Sequence, residues 1–303
     1  MLSFRHLTST AQITRADADL LLHTAREMEE MLSQGKGSDR MHGKILASLF
    51  YEPSTRTRLS FESAMLRLGG HVITADGLQF SSMYKGESIE DTIRVVARYS
   101  DIICMRHPQE GSAEAAAKVS TIPFINAGDG PGQHPTQALL DLYTIHKERG
   151  TLDGVHIAMA GDLRFGRTVH SLTILLLLYP NTRFTFIAPS ELSMPPYLLE
   201  LLHARKVPFE EKTSLQDGLK ADVLYMTRIQ KERFADIAVY ERLKDAYVLR
   251  ATDLKEKRLT VLHPLPRVME IATDVDALPG AAYFRQAENG LTMRMALIAL
   301  MLA

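Results

Sequence analysis

The sequence predicts an α/β protein with two doubly wound parallel sheets. Short apolar runs alternate with segments of helical length, and these runs form one group before residue 130 and another after residue 150. The predicted strands are Ile45–Phe50, Val72–Ala75, Ile102–Met105, Pro123–Asn126, Val155–Ala160, Phe184–Ile187, Val223–Met226 and Thr260–Leu262. Because each run is short and apolar, we expect parallel strands that are buried on both faces of their sheets.

Two helical segments are expected to join and cover the halves. The residues of His134–Arg149 place apolar side chains at helical spacing and predict a helix between domains, whereas Asn289–Ala303 carries a broad apolar stripe that needs covering by the first domain. The predicted domains are therefore residues 1–133 with a C-terminal helix at 286–303, and residues 134–285, of which 134–149 form the interdomain helix.

Composition excludes several classes of protein. The 303 residues suffice for two domains, and 35 basic against 36 acidic side chains give a net charge of -1, which argues against nucleic-acid binding through bulk charge. The longest apolar runs, Leu172–Tyr179 and Met295–Ala303, are far shorter than the ~20 residues of a membrane span, and the amino terminus lacks the apolar core of a signal peptide. A single cysteine, Cys104, excludes an internal disulfide framework and a cysteine-based zinc site, and we expect a cytoplasmic protein.

The segment PSTRTR follows the first predicted strand and begins a helix. Ser54 is placed to cap that helix, and Thr55, Arg56 and Thr57 add hydroxyl donors and a guanidinium to its first turn. Helix amino termini favour anions, so the segment predicts a phosphate site. An ordinary helix cap with surface arginines is the alternative.

Two further segments of the first half are expected at the same edge of the sheet. Arg106 follows a strand, and ligands of open α/β sheets bind outside the carboxyl ends of strands. The glycine-rich loop GDGPGQHPTQ places His134 and Gln137 at the start of the next helix, where a neutral histidine can donate to a carbonyl oxygen that becomes negative. The alternatives are a solvent-facing arginine and a histidine that only caps the helix.

The second half offers a separate pair of arginines. Arg167 begins a helix after one predicted strand, and Arg228 follows another, with Gln230 two residues later. Paired guanidinium groups bind carboxylates well, so a small dicarboxylate such as aspartate fits this arrangement. Neither dinucleotide-binding nor P-loop glycine spacing is present, which argues against a dehydrogenase. The segment HPLPR, residues 263–267, predicts a stiff, extended backbone that can present the Leu265 carbonyl, or else a rigid crossover.

Taken together, these segments resemble the aspartate carbamoyltransferase family from about residue 5 to the end of the chain. PSTRTR, MRHPQEG, GDGPGQHPTQ, GDLRFGRTVHSL, TRIQKERF and HPLPR stand in the family's order. The resemblance implies transfer of the carbamoyl group of carbamoyl phosphate to the α-amine of L-aspartate, in pyrimidine biosynthesis, with no metal or organic cofactor. It also implies a homotrimer with a carbamoyl phosphate domain and an aspartate domain, the last helix returning to the first; association with regulatory chains stays open.

The resemblance also implies a role for each matching residue. The carbamoyl phosphate set is Ser54, Thr55, Arg56, Thr57, Arg106, His134, Gln137, Leu265 and Pro266, and the aspartate set is Lys85, Arg167, Arg228 and Gln230. In the first set, Thr57, Arg106 and His134 reach the carbonyl oxygen. Gln137 and the carbonyls of Leu265 and Pro266 take the carbamoyl NH2.

Two expectations concern contacts between parts of the assembly. The family donates a loop across the trimer interface, here FSSMYKGES, whose Ser81 and Lys85 would enter a neighbouring active site. Glu52 is expected to pair with Arg167 and Arg233 when the domains close.

Two alternatives to this function are carried forward. Ornithine carbamoyltransferases share the fold and the phosphate motif, but typically carry HCLP where this chain has HPLPR, and they lack paired arginines for a side-chain carboxylate. A catalytically silent homologue that acts as a scaffold would show damaged active-site positions, yet every expected side chain is present.

Overall fold

The computed structural model describes residues 1–77, 82–230, 236–243, 245–254 and 258–303. The chain forms two compact units, one of Met1–Tyr143 with Ala287–Ala303 and one of Thr144–Gln286. This division falls within the helix Pro135–Arg149. The domain boundary expected at residue 134 stays a prediction.

The first unit contains a five-stranded parallel sheet. Its strands are β1 (His6–Leu7), β2 (Ile45–Phe50), β3 (His71–Asp76), β4 (Ile102–His107) and β5 (Phe124–Asp129), in the spatial order β1-β5-β4-β2-β3. The chain runs from β2 outward to β3 and then returns to place β4 on the other side of β2. The carboxyl ends of β2 and β4 are therefore a topological switch point, called here the first switch point.

The second unit repeats this plan. Its strands are β6 (His156–Ala160), β7 (Arg183–Ile187), β8 (Phe209–Lys212), β9 (Val223–Met226) and β10 (Thr260–Leu262), in the order β10-β9-β6-β7-β8. The chain runs from β6 outward through β7 and β8, and returns to place β9 on the other side of β6. The carboxyl ends of β6 and β9 form the second switch point.

Helices connect the strands of both units. They are α1 (Arg15–Ser33), α2 (Thr55–Arg67), α3 (Ile89–Val96), α4 (Ser112–Val119), α5 (Pro135–Arg149), α6 (Arg167–Leu176), α7 (Pro196–Ala204), α8 (Leu215–Gly218), α9 (Ile237–Leu243) and α10 (Tyr283–Met301). Side-chain caps fix two starts: Thr14 and Asp17 form a capping box on α1, and Ser88 accepts from the Asp91 N–H at the start of α3.

The predicted α/β class with parallel sheets is confirmed, but two details are wrong. The sequence analysis missed β1 and β8, because β1 has two residues and β8, with the sequence FEEK, is polar. The strand predicted at Val72–Ala75 is not buried on both faces, since the side chains of β3 are exposed or half-buried. Both β3 and β8 are edge strands, which have a neighbour on one side and tolerate polar side chains.

Each unit has its own apolar core, and the end of the chain belongs to the first. Residues 287–303 lie in the first unit, where the Arg294 guanidinium lies 5.1 Å from the centre of the Phe61 ring on α2. This confirms that the C-terminal helix returns to the first domain. Within the described ranges, no helix is both long and apolar enough to cross a membrane.

Candidate active site

The first switch point brings together the two predicted phosphate segments. Phe50 at the end of β2 pairs with Arg106 on β4, and the Tyr51 N–H donates to the Arg106 carbonyl at 2.9 Å. The chain then turns through Pro53 into α2, where Arg56 is the second residue. Arg56 and Arg106 therefore lie at the same edge of one sheet, because adjacent parallel strands carry them there.

The start of α2 differs from its expected form. Ser54 occupies the cap position, but within residues 1–77 its hydroxyl caps none of the first-turn N–H groups, so the predicted side-chain cap is wrong. The Ser54 backbone, at ψ 86°, does not adopt the extended conformation of most caps. Thr55 and Arg56 are exposed and Thr57 is buried. The first turn of α2 therefore keeps donors that can meet an anion.

Three charged groups set the electrostatics of this edge. Arg106 Nη2 lies 2.8 Å from Glu52 Oε2, and both side chains are mostly buried. Partial desolvation, and after it the positive charge of Arg106, lowers the pKa of Arg56. The two guanidinium groups are close enough for the charge of one to act on the other, and such a pair favours a further anion.

The glycine-rich loop after β5 is held by two residues that the sequence analysis missed. Asn126 donates to Asp129 Oδ1 at 3.1 Å and accepts from the Gly128 N–H at 2.7 Å, and Asp129 accepts from the Gln133 N–H at 2.8 Å. Asp129 Oδ2 also accepts from the Gly111 N–H, which ties this loop to the one after β4. Both residues are buried. In the sequence, the one feature that could have identified them is a pair of polar residues beside a cluster of glycines.

His134 and Gln137 stand at the start of α5, as their spacing predicted. His134 is 4% exposed, and its carbonyl accepts from the N–H groups of Gln137 and Ala138 at 3.1 and 3.2 Å. The helix itself begins at Pro135. Gln137 Nε2 donates to Asp141 Oδ1 at 2.8 Å, one helical turn further on. Both predicted side chains are thus held within the first unit rather than exposed to solvent.

The loop expected to cross between subunits is partly described. Ser82–Lys85 forms a short 3-10 helix, and Lys85 at its end is exposed. Met83 packs against the core of the first unit, which anchors the turn that carries Lys85. Ser81 and Arg233 lie outside the described residues. The roles of Lys85 and Ser81, and the pairing of Glu52 with Arg167 and Arg233, stay predictions.

At the second switch point, two turns are hydrogen-bonded to each other. The Asp162 N–H donates to the Thr227 hydroxyl at 3.0 Å, so the turn after β6 is bonded to the turn after β9. Gly161 has a φ of +120°, and a Cβ there would overlap the Thr227 carbonyl. Gln230 Nε2 adds a bond to the Phe165 carbonyl at 3.3 Å. Thr227 and Asp162 were missed by the sequence analysis, because their contact depends on which strands are neighbours.

This contact between the two turns sets the positions of Arg167 and Arg228. Arg167 is the first residue of α6, immediately after the first turn, and Arg228 immediately follows Thr227 in the second. Both are half-buried. The structure therefore brings Arg167, Arg228 and Gln230 to one edge of the second sheet.

The HPLPR segment is a turn, so the predicted extended backbone is wrong. Leu265 has a φ of +56°, and the bond between Leu265 and Pro266 is cis. The backbone bends because the Leu265 N–H donates to Nδ1 of His263, two residues back, at 2.8 Å. His263 Nε2 lies 2.7 Å from Glu270 Oε1.

The two contacts of His263 identify its protonation state. Nδ1 accepts a backbone N–H and therefore carries no proton, so the ring is neutral and Nε2–H donates to Glu270. The Glu270 carboxylate also accepts from the N–H of Met269 at 3.0 Å. Burial raises the pKa of Glu270, but the hydrogen bonds it accepts outweigh burial and lower it overall. This buried pair, which the sequence analysis missed, fixes the turn that contains Leu265.

In the described part of the chain, no group of three His, Cys, Asp or Glu side chains is arranged to hold a metal ion. The polar chemistry at both switch points comes instead from guanidinium, hydroxyl, amide and imidazole groups, which suit anions and carbonyl oxygens.

Both halves of the chain match models of one protein family. Residues 5–147 match the family model described as the carbamoyl-P binding domain of aspartate/ornithine carbamoyltransferase, and residues 153–301 match the model of its Asp/Orn binding domain. The aspartate carbamoyltransferase catalytic subunit of Methanocaldococcus jannaschii is 52% identical over 295 residues, which cover 97% of this chain and 96% of that protein.

Solved structures give the same result. A crystal structure of the M. jannaschii catalytic subunit superposes with a TM-score of 0.93, at 51% identity over 98% of each chain. Aspartate transcarbamoylase from Trypanosoma cruzi, in complex with N-(phosphonacetyl)-L-aspartic acid, has a TM-score of 0.88 at 43% identity, covering 97% of this chain and 94% of that one. Because both halves match their family models and the relatives align over nearly their whole length, the chain belongs to the aspartate/ornithine carbamoyltransferase family.

Proposed function

We propose that this chain is an aspartate carbamoyltransferase, which converts carbamoyl phosphate and L-aspartate to N-carbamoyl-L-aspartate and phosphate in pyrimidine biosynthesis. The observation that carries the proposal is that each of the two switch points holds a pair of arginines, one pair suited to a phosphate and the other to carboxylates. The naming of the M. jannaschii and T. cruzi relatives supports the same choice of amino acid.

The first unit supplies the carbamoyl phosphate site. The first turn of α2 and the guanidinium groups of Arg56 and Arg106 bind the phosphate, because they combine helix N–H donors with two planar cations. Thr57, Arg106 and His134 donate to the carbonyl oxygen. The Oε1 atom of Gln137 accepts from the carbamoyl NH2, together with the carbonyls of Leu265 and Pro266.

The second unit supplies the aspartate site. Arg167 and Arg228 lie next to the two hydrogen-bonded turns of the second switch point. Each can hold one carboxylate of a dicarboxylic amino acid in a bidentate pair. An ornithine side chain carries an ammonium group, which two guanidinium groups would repel. Gln230 and Lys85 complete the aspartate set.

The reaction needs orientation and charge stabilisation rather than an enzyme nucleophile. The neutral α-amine of aspartate attacks the carbamoyl carbon, and the carbonyl oxygen becomes an oxyanion. The bond from that carbon to the phosphate oxygen then breaks, and the departing phosphate takes a proton from the amine. Alignment of two substrates can lower such a barrier by up to ~7–11 kcal/mol, and the donors to the oxyanion stabilise the charge that develops.

The working assembly of this proposal is a homotrimer in the cytoplasm. Lys85 and Ser81 of one subunit then complete the aspartate site of its neighbour, so each active site needs two chains. The exposed position of Lys85 at the end of its 3-10 turn supports this arrangement.

A parallel assay tests the proposal. The purified protein is given carbamoyl phosphate with either aspartate or ornithine, and the carbamoylated product and the released phosphate are both measured. We expect equal amounts of N-carbamoyl-aspartate and phosphate with aspartate, and no citrulline with ornithine. Citrulline formation would assign the chain to the ornithine branch of the family, and no product with either amine would favour a silent scaffold.

A further inference from the structure

The side-chain amide of Gln137 is hydrogen-bonded to a buried carboxylate. Asp141 lies one turn after Gln137 on α5, so both side chains share a face of the helix, and Nε2 of Gln137 donates to Asp141 Oδ1 at 2.8 Å. Asp141 is fully buried and Gln137 is 8% exposed. An ionised carboxylate accepts hydrogen bonds and cannot donate them, so the amide must turn its NH2 toward Asp141 and its Oε1 away.

A buried arginine from the C-terminal helix lies close enough to Asp141 for the charge of that carboxylate to act on it. Arg294 is 3% exposed, and its Nη1 folds back to donate to the Gly290 carbonyl at 3.0 Å. A Cβ at Gly290 would overlap this same Nη1 atom, so the glycine leaves the room that the guanidinium occupies.

The charge state of this cluster follows from its surroundings. Burial lowers the pKa of Arg294 to about 10, although the charge of Asp141 acts to raise it. Arg294 therefore remains a cation at physiological pH, and a nearby cation favours the charged form of a carboxylate.

We infer that Asp141 is a positioning residue that fixes the Gln137 amide with its oxygen toward the ligand, and thereby selects a carbamoyl NH2 group. The inference rests on the proposed function, because it assigns the selected group to carbamoyl phosphate. With Asp141 ionised, Gln137 presents an acceptor to the ligand. If the amide were free to rotate, it would present its own NH2 half of the time and oppose the NH2 of the substrate.

A merely structural contact of Asp141 would also destabilise the protein when lost, so stability cannot test the inference. The discriminating quantity is the ratio of the dissociation constants of acetyl phosphate and carbamoyl phosphate, since acetyl phosphate carries a methyl group in place of the NH2. Isothermal titration calorimetry on the intact assembled protein measures both constants.

Four variants accompany the wild type. Gln137→Met removes the acceptor and sets the ratio expected when NH2 selection is lost. Asp141→Asn lets the amide rotate, and Asp141→Asn with Arg294→Met does so without leaving an unbalanced buried cation. Tyr143→Phe on the same helix is the matched control, because it removes the partly buried hydrogen bond to Glu29 Oε2, 2.6 Å in length, without touching Gln137.

The wild type is expected to prefer carbamoyl phosphate. Asp141→Asn and the double variant should reduce the preference by about five- to thirtyfold, toward that of Gln137→Met, while Tyr143→Phe keeps it. A full preference in the double variant would overturn the inference and leave the proposed function intact. If the wild type bound neither phosphate, the proposed function and the inference would both fail.

Discussion

Arg56, Arg106 and Glu52 concentrate charge at the first switch point, and the balance among them has a direct consequence for catalysis. The Arg106 guanidinium forms a 2.8 Å ion pair with Glu52, and its positive charge also acts on Arg56. In the proposed site, a bound phosphate adds negative charge beside both arginines, so it offsets the repulsion between the two guanidinium groups.

Replacement of either arginine should nearly abolish turnover. Arg56→Ala or Arg106→Ala removes a proposed phosphate ligand, and we expect kcat to fall by about 10²–10³-fold or more. His134→Ala should cost less than either, because other donors to the carbonyl oxygen remain. Steady-state kinetics at saturating aspartate measure these losses. A His134→Ala enzyme with full activity would remove His134 from the oxyanion role.

Glu270 links the HPLPR turn to the pH dependence of stability. Folding lowers the pKa of Glu270 below its ordinary value of 4.5, so its ionised form stabilises the folded chain fully above that value. The contribution is lost as the pH falls through the lower, folded-state pKa. Glu270→Gln should reduce the free energy of unfolding at pH 7 by about 1–3 kcal/mol, since the amide nitrogen cannot accept from the Met269 N–H.

Urea unfolding of the wild type and Glu270→Gln, measured from pH 7 to pH 3, checks this prediction. The difference between the two proteins should be constant above pH 4.5 and should shrink below it. A difference that stayed constant down to pH 3 would show that the Glu270 carboxylate does not titrate with folding.

At the scale of elements, the two switch points use different means to bring neighbouring turns together. In the first, β2 and β4 are adjacent and an ion pair joins their ends. In the second, the close approach of Gly161 to Thr227 holds the turns after β6 and β9 in contact. A side chain at Gly161 would force these turns apart, and with them Arg167 and Arg228.

Gly161→Ala tests whether this approach positions the arginines. We expect a loss of about 2–4 kcal/mol in the free energy of unfolding, from the overlap with Thr227 and the positive φ, and a larger rise in KM for aspartate than for carbamoyl phosphate. Gly154→Ala is the matched control: Gly154 also has a positive φ, but a Cβ there would meet no heavy atom within 4 Å among the described residues. Its cost should be about 1 kcal/mol, with both KM values unchanged. Equal changes in both KM values for Gly161→Ala would contradict the prediction.

At the scale of the whole molecule, the proposed sharing of active sites predicts complementation between inactive variants. Lys85→Ala damages what a chain gives to its neighbour, whereas Arg56→Ala damages the site that the chain itself holds. Each variant alone should be nearly inactive. When the two are dissociated together and reassembled, up to about a quarter of the active sites should receive both intact residues.

Activity after mixing, compared with each variant reassembled by itself, measures this effect. A mixture of Arg56→Ala with Arg106→Ala is the control, because both changes lie in the same chain's site and should not complement. Recovery in neither mixture would place Lys85 in the same chain's site as Arg56.

The sequence predicted well those features that depend on neighbouring residues. Apolar runs identified most strands of both sheets, with Ile45–Phe50, Val223–Met226 and Thr260–Leu262 in their observed bounds. Arg106, which was expected after a strand, lies within β4, but the order of the motifs correctly placed Arg56, Arg167 and Arg228 after strands. These predictions succeeded because strand formation and helix starts are governed by local patterns of apolar, capping and turn residues.

The tertiary structure decided what supports those residues. Asp129 under the glycine-rich loop, Thr227 against Gly161, Glu270 behind His263 and Asp141 behind Gln137 are all buried polar partners whose place depends on packing. The order of strands fixes which turns meet, and it also made β3 an exposed edge. By itself, the sequence determined which groups carry the chemistry. The fold determined how those groups are oriented, because a buried polar group must find its hydrogen-bond partner wherever the packed chain places one.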